Sequence, residues 1–423
     1  MKRFFKVAIL SAIFTFLKMI AGFIVGKVIA IYTGPSGIAM LGQVQSLMNI
    51  SVGVATSPVG NGLVRYTAEN GVGGFGLGLW GRWWCSGLCV SLIIFFVFAP
   101  FGFLFSISLS LILFDQIHYN WLIQVAVCIL PLSVIGIIIS SVINGQQNYR
   151  QYILLGMLSV IISTLVVIFF VIYFGLNGAL LAIILYTAIS GVVMITFCFR
   201  ESWFKIKYWH VEIKKYHLIS VINYTMMALI TASAMPLALL IVRKLLINDI
   251  GWAGAGYWQA VWKISEVYLG IITIALTTYL LPQLSVIKES VLIKKEINLL
   301  SPYIISVAVF LAVSIYILRD VCLSVLFTQD FYSARDLFLY QLVGDVFKVA
   351  GFLYAYPMIV QARTKIYISL EIFISSIMVF FSYIFIKYYN VQGANIAYML
   401  TYFIYFVMAF IFTNYININM KKA

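Results

Sequence analysis

The chain is built from long apolar stretches that are separated by short turns and charged residues. Crossing the ~30 Å hydrocarbon core of a bilayer takes about 20 apolar residues in a helix. Twelve stretches of sufficient length are predicted, at 4–31, 36–64, 77–105, 119–144, 151–173, 178–199, 219–247, 252–284, 300–327, 334–361, 364–387 and 391–416. Since 63% of the residues are hydrophobic and 9% are charged, against about 25% charged in globular domains, the sequence predicts an all-α polytopic membrane protein.

Basic residues are distributed unevenly between alternate connections. If the N-terminus is cytoplasmic, the connections on that side contain most of the 27 Lys and Arg residues. The opposite connections, such as 106–118, 174–177 and 328–333, contain none. This bias predicts that both termini are cytoplasmic. It also explains the net charge of +14, so nucleic-acid binding is not expected.

Residues about 215 positions apart match through much of the chain. The matching pairs include polar and turn residues: Gln146 and Gln361, Arg150 and Lys365, Gly178 and Gly393, and, at an offset of 217, Lys27 and Lys244, Gly34 and Gly251, and Gly37 and Gly254. The alternative is that apolar segments resemble one another through composition alone. A nearly constant offset favours duplication of six spans. This predicts two parallel-repeat lobes, 1–200 and 219–423, joined by a cytoplasmic linker at 201–218, with a substrate site in a central cavity between them.

Several lysines lie inside the predicted spans, and the clearest are Lys18, Lys27, Lys263 and Lys348. A charge in hydrocarbon costs several kcal/mol unless it faces protein or water, so each is a candidate functional residue. Lys18 and Lys27 are expected on opposite faces of a straight helix, so one of them is expected to have a structural role. We prefer Lys27 as the cavity residue.

The second span carries a possible polar face. Gln43, Asn61 and Arg65 fall on one side if the helix is continuous. They are interpreted as a cavity wall that ends in an anion contact, or as a helix that ends in a snorkelling arginine. Pro58 predicts a bend in this span.

Two acids lie one turn from a lysine. Glu266 follows Lys263 in the eighth span, and Lys348 follows Asp345 in the tenth. Each pair is expected either to neutralise itself or to contribute to a site. A buried carboxyl group can exchange a proton near neutral pH, so Asp345 is a candidate ion-coupling residue, with a structural salt bridge as the alternative.

The remaining charged and reactive residues suggest no catalytic centre. Arg243 is assigned to the outer face, and Glu371 to the cytoplasmic end without an evident partner. The five cysteines and three histidines show no metal-ligand spacing, and nucleotide-binding and hydrolase motifs are absent from the sequence. No cofactor, metal or enzyme activity is therefore expected. A membrane polymerase or ligase is disfavoured because no connection offers a large external loop.

Several segments resemble the flippases for O-antigen and for enterobacterial common antigen (lipid III). The most specific are 257–269 (YWQAVWKISEVYL), 279–285 (YLLPQLS) and 335–351, and the early Lys27 and Asn61–Arg65 regions are similar as well. The resemblance implies membership of the multidrug/oligosaccharidyl-lipid/polysaccharide (MOP) exporter superfamily. It further implies a bacterial inner-membrane location.

The resemblance also implies a cargo and site roles. The cargo would be an undecaprenyl-diphosphate-linked O-antigen repeat unit, carried to the periplasmic leaflet by alternating access while its lipid tail stays among the membrane lipids. Lys27, Arg65, Lys263 and Lys348 would contact the diphosphate, and Glu266 and Asp345 would couple transport to H⁺ or Na⁺. The O-antigen polymerase and the chain-length regulator are expected partners. The alternatives are a lipid III flippase and a multidrug/cation antiporter of the same superfamily.

Overall fold

The computed structural model describes residues 2–71, 77–204, 209, 215–276, 280, 283–284, 287, 289–361 and 363–416. Within these ranges, it does not describe the side chains of residues 2–9, 61, 69–71, 77–79, 202, 215–216, 218–220, 223–224, 226–227, 274–275 and 415–416. Residues 205–208 and 210–214 of the predicted linker at 201–218 lie outside the described residues.

The described residues form α-helices joined by short turns, and no strand occurs among them. The helices are α1 Lys2–Thr56, α2 Asn61–Gly71, α3 Leu77–Leu104, α4 Ser106–Phe114, α5 Asn120–Gly145, α6 Tyr149–Cys198, α7 Lys215–Ile250, α8 Trp252–Ala275, α9 Ser290–Ile317, α10 Arg319–Leu326, α11 Phe338–Val360, α12 Thr364–Tyr389 and α13 Val391–Ile411. A 3₁₀ segment, Gln329–Leu337, precedes α11.

The helices account for about twelve membrane spans. Nine stretches of the described residues are long and apolar enough to cross a bilayer, and two of these have 47 and 50 residues. Each of the two contains a glycine with positive φ that divides it, Gly34 in α1 and Gly175 in α6. With the 24-residue α8, the described helices match the predicted number of spans. The prediction of an all-α polytopic membrane protein is confirmed.

The two breaks have counterparts in the second half of the chain. Gly34 has φ 61° and Gly251, which lies 217 residues later, has φ 97°. Gly175 has φ 55° and ψ −133°, and Asn390, 215 residues later, has φ 52° and ψ −136°. The offsets equal those of the sequence repeat, so the same backbone turn recurs in both halves.

Close contacts recur at the same offset. A Cβ atom added to Gly178 would collide with the carbonyl oxygen of Phe170, and one added to Gly393 would collide with that of Phe385. Glycine lacks Cβ, so the helix that follows each break can pack against the preceding backbone. The repeat is therefore visible in local geometry as well as in residue identity.

Two predicted spans have different bounds. The span predicted at 36–64 ends at Thr56, and a turn at 57–60 precedes α2. Pro58 lies in this turn and has no backbone N–H to donate. The helix is interrupted rather than bent, so the inference that Gln43, Asn61 and Arg65 share one face of a continuous helix is wrong. Similarly, α9 begins at Ser290, and α10 is a separate short helix.

The chain divides into two compact units. The first unit comprises Met1–Tyr32 and Met40–Leu237, and the second comprises Thr33–Ala39 and Ala238–Ala423. The division falls within α7, next to Pro236.

The break at Gly175 gives a test of the repeat. Gly175→Ala is expected to destabilise the protein by about 1–3 kcal/mol, the usual cost of an alanine at this φ and ψ. Gly175→Asn should cost less, because Asn390 already adopts the same dihedral angles. Gly22→Ala serves as the control, since an added Cβ there meets no atom within 4 Å. The check is the melting temperature of the purified protein in detergent; equal losses for Ala and Asn at position 175 would contradict the interpretation.

Candidate functional site

Close packing of α11 against α13 forms the core of the second unit. Gly344 and Gly351 lie two turns apart on α11. A Cβ added to Gly344 would lie 2.5 Å from Cδ1 of Tyr398, and one added to Gly351 would collide with the ring of Tyr405. The absence of these two Cβ atoms lets tyrosines of α13 lie directly on α11, and Asp345 is the residue next to the first glycine.

Asp345 is fully buried, with 0% of its surface exposed. The hydroxyl of Tyr268 donates to its Oδ2 at 2.6 Å, and the hydroxyl of Tyr398 donates to its Oδ1 at 2.6 Å. Nε2 of Gln341 is a more distant donor to Oδ1 at 3.4 Å. Both O–H···O distances are within the normal range of a hydroxyl hydrogen bond. Neutral donors from α8, α11 and α13 therefore hold this acid inside the unit.

Lys348 lies one turn after Asp345, in a group of aromatic rings. Its Nζ is 5.0 Å from the ring centroid of Tyr402, 5.4 Å from that of Trp262 and 5.7 Å from that of Tyr398. These distances are within the range of cation–π attraction. Among the described residues, no ion pair with an N···O distance of 4.0 Å or less joins Lys348 to Asp345. The salt bridge that we considered as an alternative is not formed, and the carboxylate oxygens accept hydrogen bonds from phenol hydroxyls instead.

Lys263 and Glu266 also form no such ion pair within the described part of the chain. Lys263 is half-buried and Glu266 is exposed. The Glu266 carboxylate instead acts electrostatically at longer range on Lys263, Lys348 and Arg243. The close pairing that was one of our two alternatives is therefore not formed, and this exposed acid interacts with three cations.

Arg243 belongs to this cluster, a role that we did not assign to it from the sequence. It is 2% exposed. Its Nε and Nη2 both donate to Oε1 of Gln259, at 3.1 and 2.7 Å, and its guanidinium lies 5.7 Å from the ring of Trp258. Gln259, a polar residue one turn before Lys263 on α8, was the signal that an uncharged partner was available.

Glu371 was also misjudged from the sequence. It is half-buried, and Tyr367, one turn earlier on α12, interacts electrostatically with it. It also interacts electrostatically with Lys348. Since glutamate and tyrosine at i and i−4 are neighbours on a helix, the spacing alone indicated this partner.

The other predicted site residues belong to the first unit. Gln43 is fully buried, and its Nε2 donates to the carbonyl oxygen of Leu113 at 3.4 Å. It therefore contacts protein rather than a cavity, and its assignment to a cavity wall is wrong in this conformation. Lys18 is exposed, with its Nζ 4.2 Å from the ring of Phe14. Lys27 is half-buried and Arg65 is exposed, and both interact with neighbouring residues. The side chain of Asn61 lies outside the described part.

The structure therefore brings Lys263, Lys348, Glu266 and Asp345 together in the second unit, with Arg243 and Glu371 added. We refer to these six residues as the charged cluster. No group of three or more His, Cys, Asp and Glu side chains suited to hold a metal ion occurs in the part of the chain that was described. The cluster's chemistry is that of a carboxylate held by hydroxyl groups beside cations and aromatic rings.

Comparisons with known proteins give relatives of two kinds. No protein-family model matches the chain. The chain is 28% identical over 413 residues to the lipid III flippase of Escherichia coli (strain K12), covering 95% of this chain and 96% of the relative. The lipid III flippase of Shigella flexneri matches with the same identity and coverage.

Solved structures match along nearly the whole chain. An inward-facing multidrug resistance MATE family transporter of the MOP superfamily has a TM-score of 0.76 at 14% identity, covering 96% of this chain and 95% of its own. A MOP superfamily transporter from Pyrococcus furiosus, whose binding pocket is described as having reverse polarity, has a TM-score of 0.64 at 15% identity, covering 97% and 96%. The chain thus has the fold of the MATE transporters of the MOP superfamily and is similar over almost its whole length to the lipid III flippases.

Proposed function

We propose that the chain is a flippase that carries an undecaprenyl-diphosphate-linked oligosaccharide from the cytoplasmic to the periplasmic leaflet by alternating access. The observation that carries this proposal is the 28% identity to a lipid III flippase over 95% of the chain. The transporter fold supports it independently. Because both comparisons are with transporters, they argue against the alternative of a membrane polymerase or ligase.

The charged cluster is suited to an anionic cargo. A diphosphate that crosses hydrocarbon needs compensating cations, since an isolated charge there costs several kcal/mol. Lys348 and Lys263 are both half-buried. The diphosphate can therefore reach them, and their surroundings are less polar than water. We assign them to the diphosphate, and Lys27 and Arg65 of the first unit stay candidates for the same role.

Asp345 is proposed as the ion-coupling residue. It is buried among hydroxyl groups that can rotate to donate or to accept, so a proton or Na⁺ bound at its carboxylate has oxygen partners in place. Glu266, which is exposed and interacts electrostatically with three cations, is proposed as a second ion-coupling residue. Binding at one acid then alters the field at Lys348, which interacts electrostatically with both.

A multidrug/cation antiporter is the second candidate function. It is favoured by the MATE fold and by the aromatic rings around the cluster, because such rings bind organic cations. Against it, Lys348 already occupies the position among those rings. A cationic drug would meet a resident cation there.

The protein is a multi-pass membrane protein. We propose that it lies in the bacterial inner membrane with both termini in the cytoplasm, as the positive-inside distribution of its basic residues favours. The O-antigen polymerase and the chain-length regulator are proposed as partners that receive the translocated cargo.

The cargo is identified by complementation. Expression of the chain is expected to restore surface polysaccharide in a strain that lacks its O-antigen flippase, or enterobacterial common antigen in a strain that lacks its lipid III flippase. Accumulation of the corresponding lipid-linked oligosaccharide should fall in the rescued strain. Rescue of neither strain, together with new resistance to cationic drugs, would contradict the flippase and favour the antiporter.

Lys348→Ala and Lys263→Ala are expected to lower the translocation rate about 10- to 100-fold, which corresponds to loss of a charge-assisted contact of roughly 1.5–3 kcal/mol. Lys348→Arg should retain part of the activity. Lys387→Ala is the matched control, because Lys387 is exposed and its Nζ lies 2.9 Å from the hydroxyl of Tyr383 on the same helix. The rates are compared in membranes with equal protein levels. Wild-type rates for both alanine variants would remove these lysines from the diphosphate site.

Asp345→Asn is expected to uncouple transport from the ion gradient while preserving the shape of the side chain. Tyr398→Phe should weaken coupling less, because Tyr268 still donates to the carboxylate. The measurement is the effect of a protonophore and of Na⁺ replacement on translocation by each variant. Asp330→Asn, an exposed change, is the control. An Asp345→Asn protein that keeps the wild-type dependence on the gradient would exclude Asp345 from coupling.

A further inference from the structure

An apolar groove opens on the surface of the second unit, where the end of α11, the start of α12 and the end of α13 meet. Its volume is about 540 Å³. The buried residues Met358, Leu370 and Phe412 form its floor, and Phe373 and Met408, which are 47% and 38% exposed, form its walls. Such a surface accepts a hydrocarbon chain without loss of any hydrogen bond.

One end of this groove is basic. Lys365, in the first turn of α12, is exposed and lines the groove itself. Ser369, one turn later on the same helix, adds a hydroxyl group to the lining. The guanidinium of Arg363 lies 5.9 Å from the ring of Phe412, which belongs to the floor. A ligand with a negatively charged head and an apolar chain is therefore complementary to the groove along its whole length.

The length of the groove limits the size of its ligand. From Lys365 to Phe373 the lining of α12 extends roughly 12 Å along the helix axis, at 1.5 Å per residue. This is less than half of the ~30 Å hydrocarbon core, so the chain that fits is confined to one leaflet. An acyl chain ends within its own leaflet, whereas a long polyprenyl chain would extend much further beyond the groove.

We propose that this groove binds one acyl chain of an anionic phospholipid, whose phosphate is held by Lys365 and Arg363. Basic pockets between transmembrane helices on the cytoplasmic side are suited to acidic headgroups. The distribution of basic residues among the connections favours the cytoplasmic side for the connection between α11 and α12. The lipid contacts three helices, one of which carries Asp345 and another Tyr398. The proposal does not depend on which cargo the protein carries.

A second groove in the same unit provides an internal comparison. It has a volume of about 340 Å³ and lies between α9 and α11, with Val309, Val313 and Phe347 among its lining residues. No charged side chain lines it in the described part of the unit. It is expected to accept hydrocarbon without preference for an anionic headgroup.

The test measures lipid binding by the purified full-length chain, with native mass spectrometry and melting temperature as readouts. Phosphatidylglycerol, phosphatidylcholine with the same acyl chains, and undecaprenyl phosphate are added separately. Phosphatidylglycerol is expected to bind more tightly than phosphatidylcholine and to raise the melting temperature. Lys365→Gln should weaken phosphatidylglycerol binding about tenfold, as expected for loss of one charge-assisted contact. Ser369→Phe, which fills the groove, should weaken the binding of both phospholipids.

Two matched variants control the experiment. Lys387→Gln removes an exposed lysine from the other end of α12, and Val313→Phe fills the uncharged groove; neither should alter the preference for phosphatidylglycerol. Equal binding of the two phospholipids to the wild type, or an equal effect of Lys365→Gln and Lys387→Gln, would overturn the proposal. The proposal would also be overturned if undecaprenyl phosphate bound more tightly than phosphatidylglycerol and its binding depended more strongly on Lys365. The occupant of the groove would then be a polyprenyl lipid.

Discussion

The described helices of this chain depend on one constraint, which is that lipid offers no partner for a backbone N–H or C=O group. Long helices satisfy this requirement internally, and the few places where the regular pattern stops need residues that tolerate another conformation. Gly34 and Gly175 meet that need inside the two longest helices. The number of spans therefore depends on the helix breaks at these two glycines as well as on the hydrophobicity of the chain.

Inside the second unit, the same absence of water determines how charges are held. Asp345 has no described ion-pair partner within 4.0 Å, and its two oxygens accept hydrogen bonds from tyrosine hydroxyls at 2.6 Å. The missing Cβ atom of Gly344 admits the ring of Tyr398. Fold and site are linked at this point, because the small residue that permits close helix packing also brings the hydroxyl group to the acid.

The fold was largely predictable from sequence, since apolar length and turn residues are local properties. The members of the site were predictable only in part. Asp345 and Lys348 were found because a charge in an apolar run is conspicuous, but their pairing was uncertain, because phenol donors from α8 and α13 come from distant parts of the chain. Arg243 was not recognised as a member of the cluster for the same reason, since its hydrogen-bond partner Gln259 lies on the next helix. A continuous face at 43–65 was wrong because helical periodicity carries no information about where a helix stops.

The shared turn at Gly175 and Asn390 shows what the two halves of the chain have in common at this position. The first half has a glycine and the second an asparagine, yet their φ values differ by only a few degrees. The backbone conformation therefore recurs where the residue type does not. At this position the correspondence of the two halves is evident in the dihedral angles and could not be read from the amino acids.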